Sequence, residues 1–234
     1  MVYFYNHYNN KTKSNPEVKV NQTEMDQNRT AAKHRSNIYG MLALVYRQEM
    51  TSDLLKHVKD PQFLGVLKDL ETEETEGIET YFQKPESELL EDLTVEYTRL
   101  FLGPGRHISP YESVHHQRED GQCGKLWGAS TAEVKKLIES TGLTYSEDFK
   151  GLPDHIAVEL EFMQQLALRE EQAWMDADVD AAVSCRQAEK NFIEEHLIRW
   201  IPDFCEKVIQ QAELPFYRAL AALTHSFIEF ERRR

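Results

Sequence analysis

The 234-residue chain carries 40 acidic and 27 basic side chains, a formal charge of −13, which repels a phosphate backbone unless basic residues gather on one surface. No apolar run approaches the roughly 18 residues of a membrane span. The three cysteines, Cys123, Cys185 and Cys205, form no CxxC pair and suggest neither a disulfide framework nor a zinc knuckle, so a reducing, cytoplasmic setting is expected, without nucleic acid or stable membrane insertion.

Residues 1–25 begin with aromatics and turn quickly to Asn, Lys, Thr and Ser. They lack the apolar segment and small-residue cleavage site of a secretory signal, and their composition favours a disordered extension over an ordered arm. Beyond residue 31, Ile38, Met41, Leu42, Val45 and Tyr46 recur at three and four positions, one face of a helix. A short helix after Ser52 carries Leu54, Leu55 and Val58, and Pro61 opens another with Phe63, Leu64, Leu67 and Leu70. Residues 69–96 hold eleven acidic side chains and one lysine, Lys84; such a run is a solvated helical face whose field also attracts a basic peptide. After Pro85 the helical period returns through Leu89, Leu90, Leu93, Tyr97, Leu100 and Phe101, until Gly103-Pro104-Gly105 ends it.

Residues 103–128 have no sustained period and read as a long ordered loop, well beyond the usual connection of about 4–6 residues, which marks the loop as a carrier of function. A helix is predicted from Ser130 or Thr131, with Ser130 and Glu133 as a capping box, fading at Gly142. Residues 143–152 read as a linker. Pro153 suits the opening of a helix with Ile156, Leu160, Met163 and Ala167 on one stripe, and Asp176 or Asp178 starts the next, with Ala182, Cys185, Ala188 and Phe192 inward. Pro202 kinks or restarts it, and Leu214-Pro215 breaks the path before a final helix with Phe216, Leu220, Leu223, Phe227 and Phe230. No period-two series stands out. The economical architecture is an all-α, compact helical bundle of two closely associated halves, residues 26–142 and 153–234.

Catalytic patterns are weak. His115 and His116 lie in the loop, and His155 and Glu159 stand one helical turn apart, but no HExxH, no nucleophile in a strand-turn-helix setting, no GxGxxG and no Walker lysine is present. Neither an enzyme nor a bound metal or cofactor is expected. If the 143–152 linker folds back against the long loop, Phe101, Tyr111, Trp127 and Pro153-Asp154-His155 line a groove between the halves, where apolar walls grip a peptide and Asp154 meets an arginine. The alternative is that these residues pack and cap helices.

Several strings in order carry a resemblance. Glu96-Tyr97-Thr98-Arg99-Leu100-Phe101-Leu102-Gly103-Pro104-Gly105, then Ser109-Pro110-Tyr111-Glu112-Ser113-Val114, Leu126-Trp127-Gly128, Leu152-Pro153-Asp154-His155-Ile156-Ala157-Val158-Glu159-Leu160-Glu161, and His196-Leu197-Ile198-Arg199-Trp200-Ile201-Pro202-Asp203-Phe204-Cys205 resemble the signature regions of the TorD/DmsD group of redox-enzyme maturation chaperones. The resemblance implies a TorD-like helical chaperone with no cofactor of its own. Its expected partner is the precursor of a molybdoenzyme of the dimethyl sulfoxide or trimethylamine oxide reductase type, bound through its twin-arginine leader until cofactor insertion and folding are complete. The implied peptide-binding residues are Pro153, Asp154 and His155, with Tyr111, Glu112 and Trp127 in family-like contexts. No residue singles out one client, and both a monomer and a homodimer are compatible with the chain.

Overall fold

The computed structural model describes residues 4–6, 21–70, 72–103, 105, 107–116, 124–146 and 149–234. Asn21 sets the start of the first long helix, because its side-chain oxygen accepts the Glu24 amide at 2.9 Å and satisfies one of the unpaired N–H groups of the opening turn. Helix α1 (Gln22–Arg47) therefore begins inside the stretch read as a disordered extension, and it buries Tyr39, Leu42, Val45 and Tyr46 of the predicted stripe. Helices α2 (Ser52–Val58) and α3 (Pro61–Lys68) follow, the second opened by Pro61 and capped by Asp60. After α4 (Ile78–Tyr81), α5 (Glu86–Tyr97) runs into a widened turn, Thr98–Leu102, that closes where the Gly103 amide donates to the Thr98 carbonyl at 2.6 Å.

The long loop contains a one-turn helix, α6 (Glu112–His115), before α7 (Ala129–Ser140). The expected capping box at Ser130 does not form. The cap falls two residues earlier, at Gly128, so the Ser130 hydroxyl lies inside the first turn and is buried. A second departure is a small antiparallel ribbon: β1 (Phe4–Asn6) pairs with β2 (Leu143–Tyr145), Phe4 opposite Tyr145 and Asn6 opposite Leu143. Its strands fall in the stretches read as extension and linker, and three residues are too few for an alternation to register.

The second half comprises α8 (Ile156–Met175), α9 (Val179–Glu195), a tight turn at Leu197–Arg199, α10 (Ile201–Gln211) and α11 (Pro215–Arg233). Pro202 occupies the first turn of α10, a restart rather than a kink. Arg35 pairs with Glu170 and Arg47 with Glu161, which sets α1 antiparallel to α8. Between these pairs the helices approach closely at Gly40, where an added Cβ would sit 2.2 Å from the Gln164 amide nitrogen. The first helix thus packs on the second half of the sequence. Tyr46, Phe101 and Phe204 meet edge-on or stacked in the main core, and Tyr97 and Tyr217 spend their hydroxyls on the Tyr46 and Leu93 carbonyls, both at 2.9 Å.

Candidate functional site

The turn before α8 organises the site by capping two helices at once. The buried Asp154 carboxylate accepts the Ser113 amide at 3.0 Å, satisfying the first turn of α6, while His155 Nδ1 accepts the Ala157 amide at 3.1 Å and caps α8. Two backbone bonds of 2.9 Å, Glu112 N–H to the Asp154 carbonyl and Ile156 N–H to the Pro110 carbonyl, hold the loop against this turn in a single antiparallel bridge. Tyr111 and His155 face each other across it with ring centroids 4.8 Å apart. Pro153 is buried behind the turn.

Glu112, next to Tyr111, points inward and is 1% exposed. Its carboxylate accepts from His116 Nε2 at 2.8 Å and from His196 Nδ1 at 3.1 Å, which ties the loop to the segment after α9. Burial works against the charge of Glu112, but the hydrogen bonds from His196 and His116 hold its carboxyl below the ordinary value. Glu159 lies alongside, and burial together with the Glu112 charge pushes its carboxyl well up. His115 packs on Trp200 at 5.2 Å and hydrogen-bonds the Ser109 carbonyl at 2.7 Å; burial keeps its imidazole below the usual range.

In front of the bridge opens a cleft of about 420 Å³ lined by Arg47, Glu49, Leu102, Tyr111, Phe149, His155 and Val158, among others. Leu102 is 59% exposed at its rim, and the exposed Glu49 accepts the Thr98 hydroxyl at 2.5 Å through one oxygen only. Of the sequence-predicted residues, only Tyr111 and His155 line the cleft. Asp154 and Glu112 stand behind it, and Trp127, 77% exposed with φ of 66°, lies on a different limb of the loop. That limb packs on the back of α6: a Cβ at Gly124 would come within 1.8 Å of the Ser113 carbonyl oxygen. Glu49 and Phe149 lie outside every quoted string and Val158 is inside one without a site role, since their convergence depends on how α1 crosses α8. Glu96, counted in the acidic run, is also interior; its carboxylate accepts the Leu214 amide at 2.8 Å and holds the start of α11.

Among the described residues no group of three or more His, Cys, Asp or Glu side chains is arranged to hold a metal, and no helix is long and apolar enough to cross a membrane. Neutral His155 keeps its proton on Nε2, because Nδ1 is an acceptor. Burial, with Arg47 adding, drives its pKa down to about 4. The unfolded imidazole therefore takes up protons first, and stability is lost as pH falls from about 6.5 towards 4. His155→Asn keeps a capping oxygen without titrating, so in thermal melts the wild type should weaken against this variant across that window.

The family model described as "Nitrate reductase delta subunit" matches residues 67–206, more than half of the chain. The chaperone protein TorD of Vibrio atlanticus is 24% identical over 207 residues, covering 84% of this chain and 92% of the relative; that of Photobacterium profundum is 27% identical over 208 residues, with 84% and 92% covered. A crystal structure described as a putative redox enzyme maturation protein from Archaeoglobus fulgidus aligns at 21% identity with a TM-score of 0.43, covering 85% of this chain and 91% of that one. The protein is a redox-enzyme maturation chaperone rather than an enzyme. It belongs to the nitrate reductase delta subunit family, the family of the TorD chaperones.

Proposed function

We propose that the protein binds the precursor of a molybdenum-cofactor oxidoreductase in the cytoplasm and takes its twin-arginine leader in the cleft beside Tyr111 and His155, delaying export until the cofactor is inserted and folding is complete. The observation that carries this reading is that the Ser109–Val114 and Leu152–Glu161 signature strings, far apart in the chain, meet at one open cleft. Its walls offer Leu102, Phe149 and Val158 to an apolar run, and its rim offers a carboxylate. That carboxylate is Glu49. Asp154 is enclosed and committed to the Ser113 amide, so it serves binding by holding the loop.

Calorimetric titration with the leader of any molybdoenzyme precursor encoded adjacent to this chain tests the proposal. Selective binding is expected, and Glu49→Gln should weaken it by about 1 kcal/mol, the size of one hydrogen bond to charge at a partly wet site. The loss should vanish with a leader whose arginines are replaced by glutamine. Asp154→Ala should weaken both leaders alike, because it acts through the loop. Absence of binding by any adjacent precursor or its leader, at low and moderate salt, would remove the proposed function.

A further inference from the structure

Glu159 and His196 do not line the cleft, yet they stand directly behind its loop; a role for them in binding rests on the reading of that cleft as the client site. Glu159 Oε2 accepts the Trp200 indole N–H at 3.1 Å. Its Oε1 is fully buried and meets no donor, and the buried Glu112 carboxyl is the nearest acidic group acting on Glu159. Two carboxylates in contact and shielded from water cannot both be ionised. One proton between them turns the repulsion into a charge-assisted O–H···O hydrogen bond.

The partners decide where the proton resides. Glu112 already accepts from His116 at 2.8 Å and His196 at 3.1 Å, which favours its negative charge. Glu159 has one neutral donor, the Trp200 indole, and the Asp154 carboxylate adds a further negative group on its side. The titratable groups acting on the pair are His116 after α6, Asp154 from the turn before α8 and His196 after α9, while His115 packs on the Trp200 ring that donates to Glu159. Asp203 and Lys207 of α10 act on His115.

We infer that Glu159 is a carboxylic acid donating its proton to Glu112, and that this pair, with His196, positions Tyr111 against His155 at the client cleft. Glu112 directly follows Tyr111, so anchoring its carboxylate on α8 and on the segment after α9 fixes the residue that faces the leader. Glu159 and His196 are positioning residues. Burial and the Glu112 charge both push the Glu159 carboxyl in the same direction, up.

The full chain with Glu159→Gln and Glu159→Ala tests this. Glutamine reproduces a neutral acid, donating to Glu112 and accepting from Trp200, whereas alanine does neither. At pH 7 the infrared difference between wild type and E159Q should contain a protonated carboxylic C=O band. The difference isolates Glu159 from other buried carboxyls such as Glu189, which burial pushes up to about 8. An acid of raised folded pKa contributes stability that is complete below the ordinary carboxyl value of 4.5 and is lost as pH rises. As pH rises above the ordinary carboxyl value the wild-type folding constant should therefore fall relative to E159Q. A synthetic twin-arginine leader should bind E159Q within about twofold of wild type at pH 7 and E159A at least about tenfold more weakly.

No acid band, no pH slope against E159Q, or an E159Q variant as defective as E159A would each overturn the inference. If the leader fails to bind wild type, the band and the slope still decide the acid pair, and only the client reading falls.

Discussion

Replacing Arg35 by alanine should lower the unfolding free energy by about 3–5 kcal/mol, the range for deleting one partner of a buried ion pair. Arg35 is 4% exposed on α1. It pairs with Glu170 of α8, and its Nε lies 3.3 Å from both Glu189 of α9 and Glu231 of α11. Arg234 reaches Glu189 and Glu231 at 3.2 Å, and Arg186 reaches Glu170 at 2.7 Å, so three arginines and three glutamates join four helices at one end of the bundle. Burial opposes the charge of Arg35, but Glu189, Glu170 and Glu231 hold its guanidinium on the ionised side. Burial also opposes the charge of Glu170, which Arg35 keeps low, whereas Glu189 is pushed up to about 8 by burial. Without Arg35 the Glu170 carboxyl rises too. An acid with a raised folded pKa loses stability as pH rises, so the deficit of R35A should grow from about pH 4.5 to 8 in urea titrations. Arg35→Lys should fall between, since one ammonium cannot present the forked donors that three carboxylates use. A wild-type midpoint for R35A would show that the network contributes nothing to stability.

Glu112→Ala should cost on the order of 3 kcal/mol and detach the loop from the second half of the molecule, because His116, His196 and Glu159 each lose their common partner inside the protein. Leader affinity should drop more than about tenfold with it, as Tyr111 is no longer held against His155. Circular dichroism should still report a helical protein, since the main aromatic core of Tyr46, Phe101 and Phe204 does not include this residue. Glu112→Gln keeps one good acceptor and turns an amide N–H towards the other donors, so an intermediate loss is expected. Unchanged affinity in a folded E112A variant would separate loop anchoring from client binding.

These two clusters also mark the limit of what could be read from residue order. The helices were legible because an apolar stripe at spacings of three and four declares its own buried face, and because proline and glycine mark helix boundaries by their own backbone restrictions: Pro61 and Pro202 open helices and Gly103 closes one. The signature strings were legible as strings, and they marked the loop and the turn that meet beside the cleft. What a polar side chain does once buried was not. Asp154 reads as an exposed arginine acceptor and is in fact an enclosed helix cap; Glu96 reads as part of an acidic surface and is an interior acceptor. Glu112 and His196 are 84 positions apart, and Arg35 and Glu170 are 135 apart. Periodicity tells a helix which face to bury, but the partner of a buried carboxylate is set by the crossing and register of two helices. Those depend on side-chain volumes summed over whole interfaces, such as the close approach at Gly40 and Gln164. The chain order alone therefore determined the helical class, the main helix boundaries and the strings that mark the family. Tertiary packing decided which of the marked residues face the cleft, which stand behind it, and that Glu49 supplies the carboxylate at its rim.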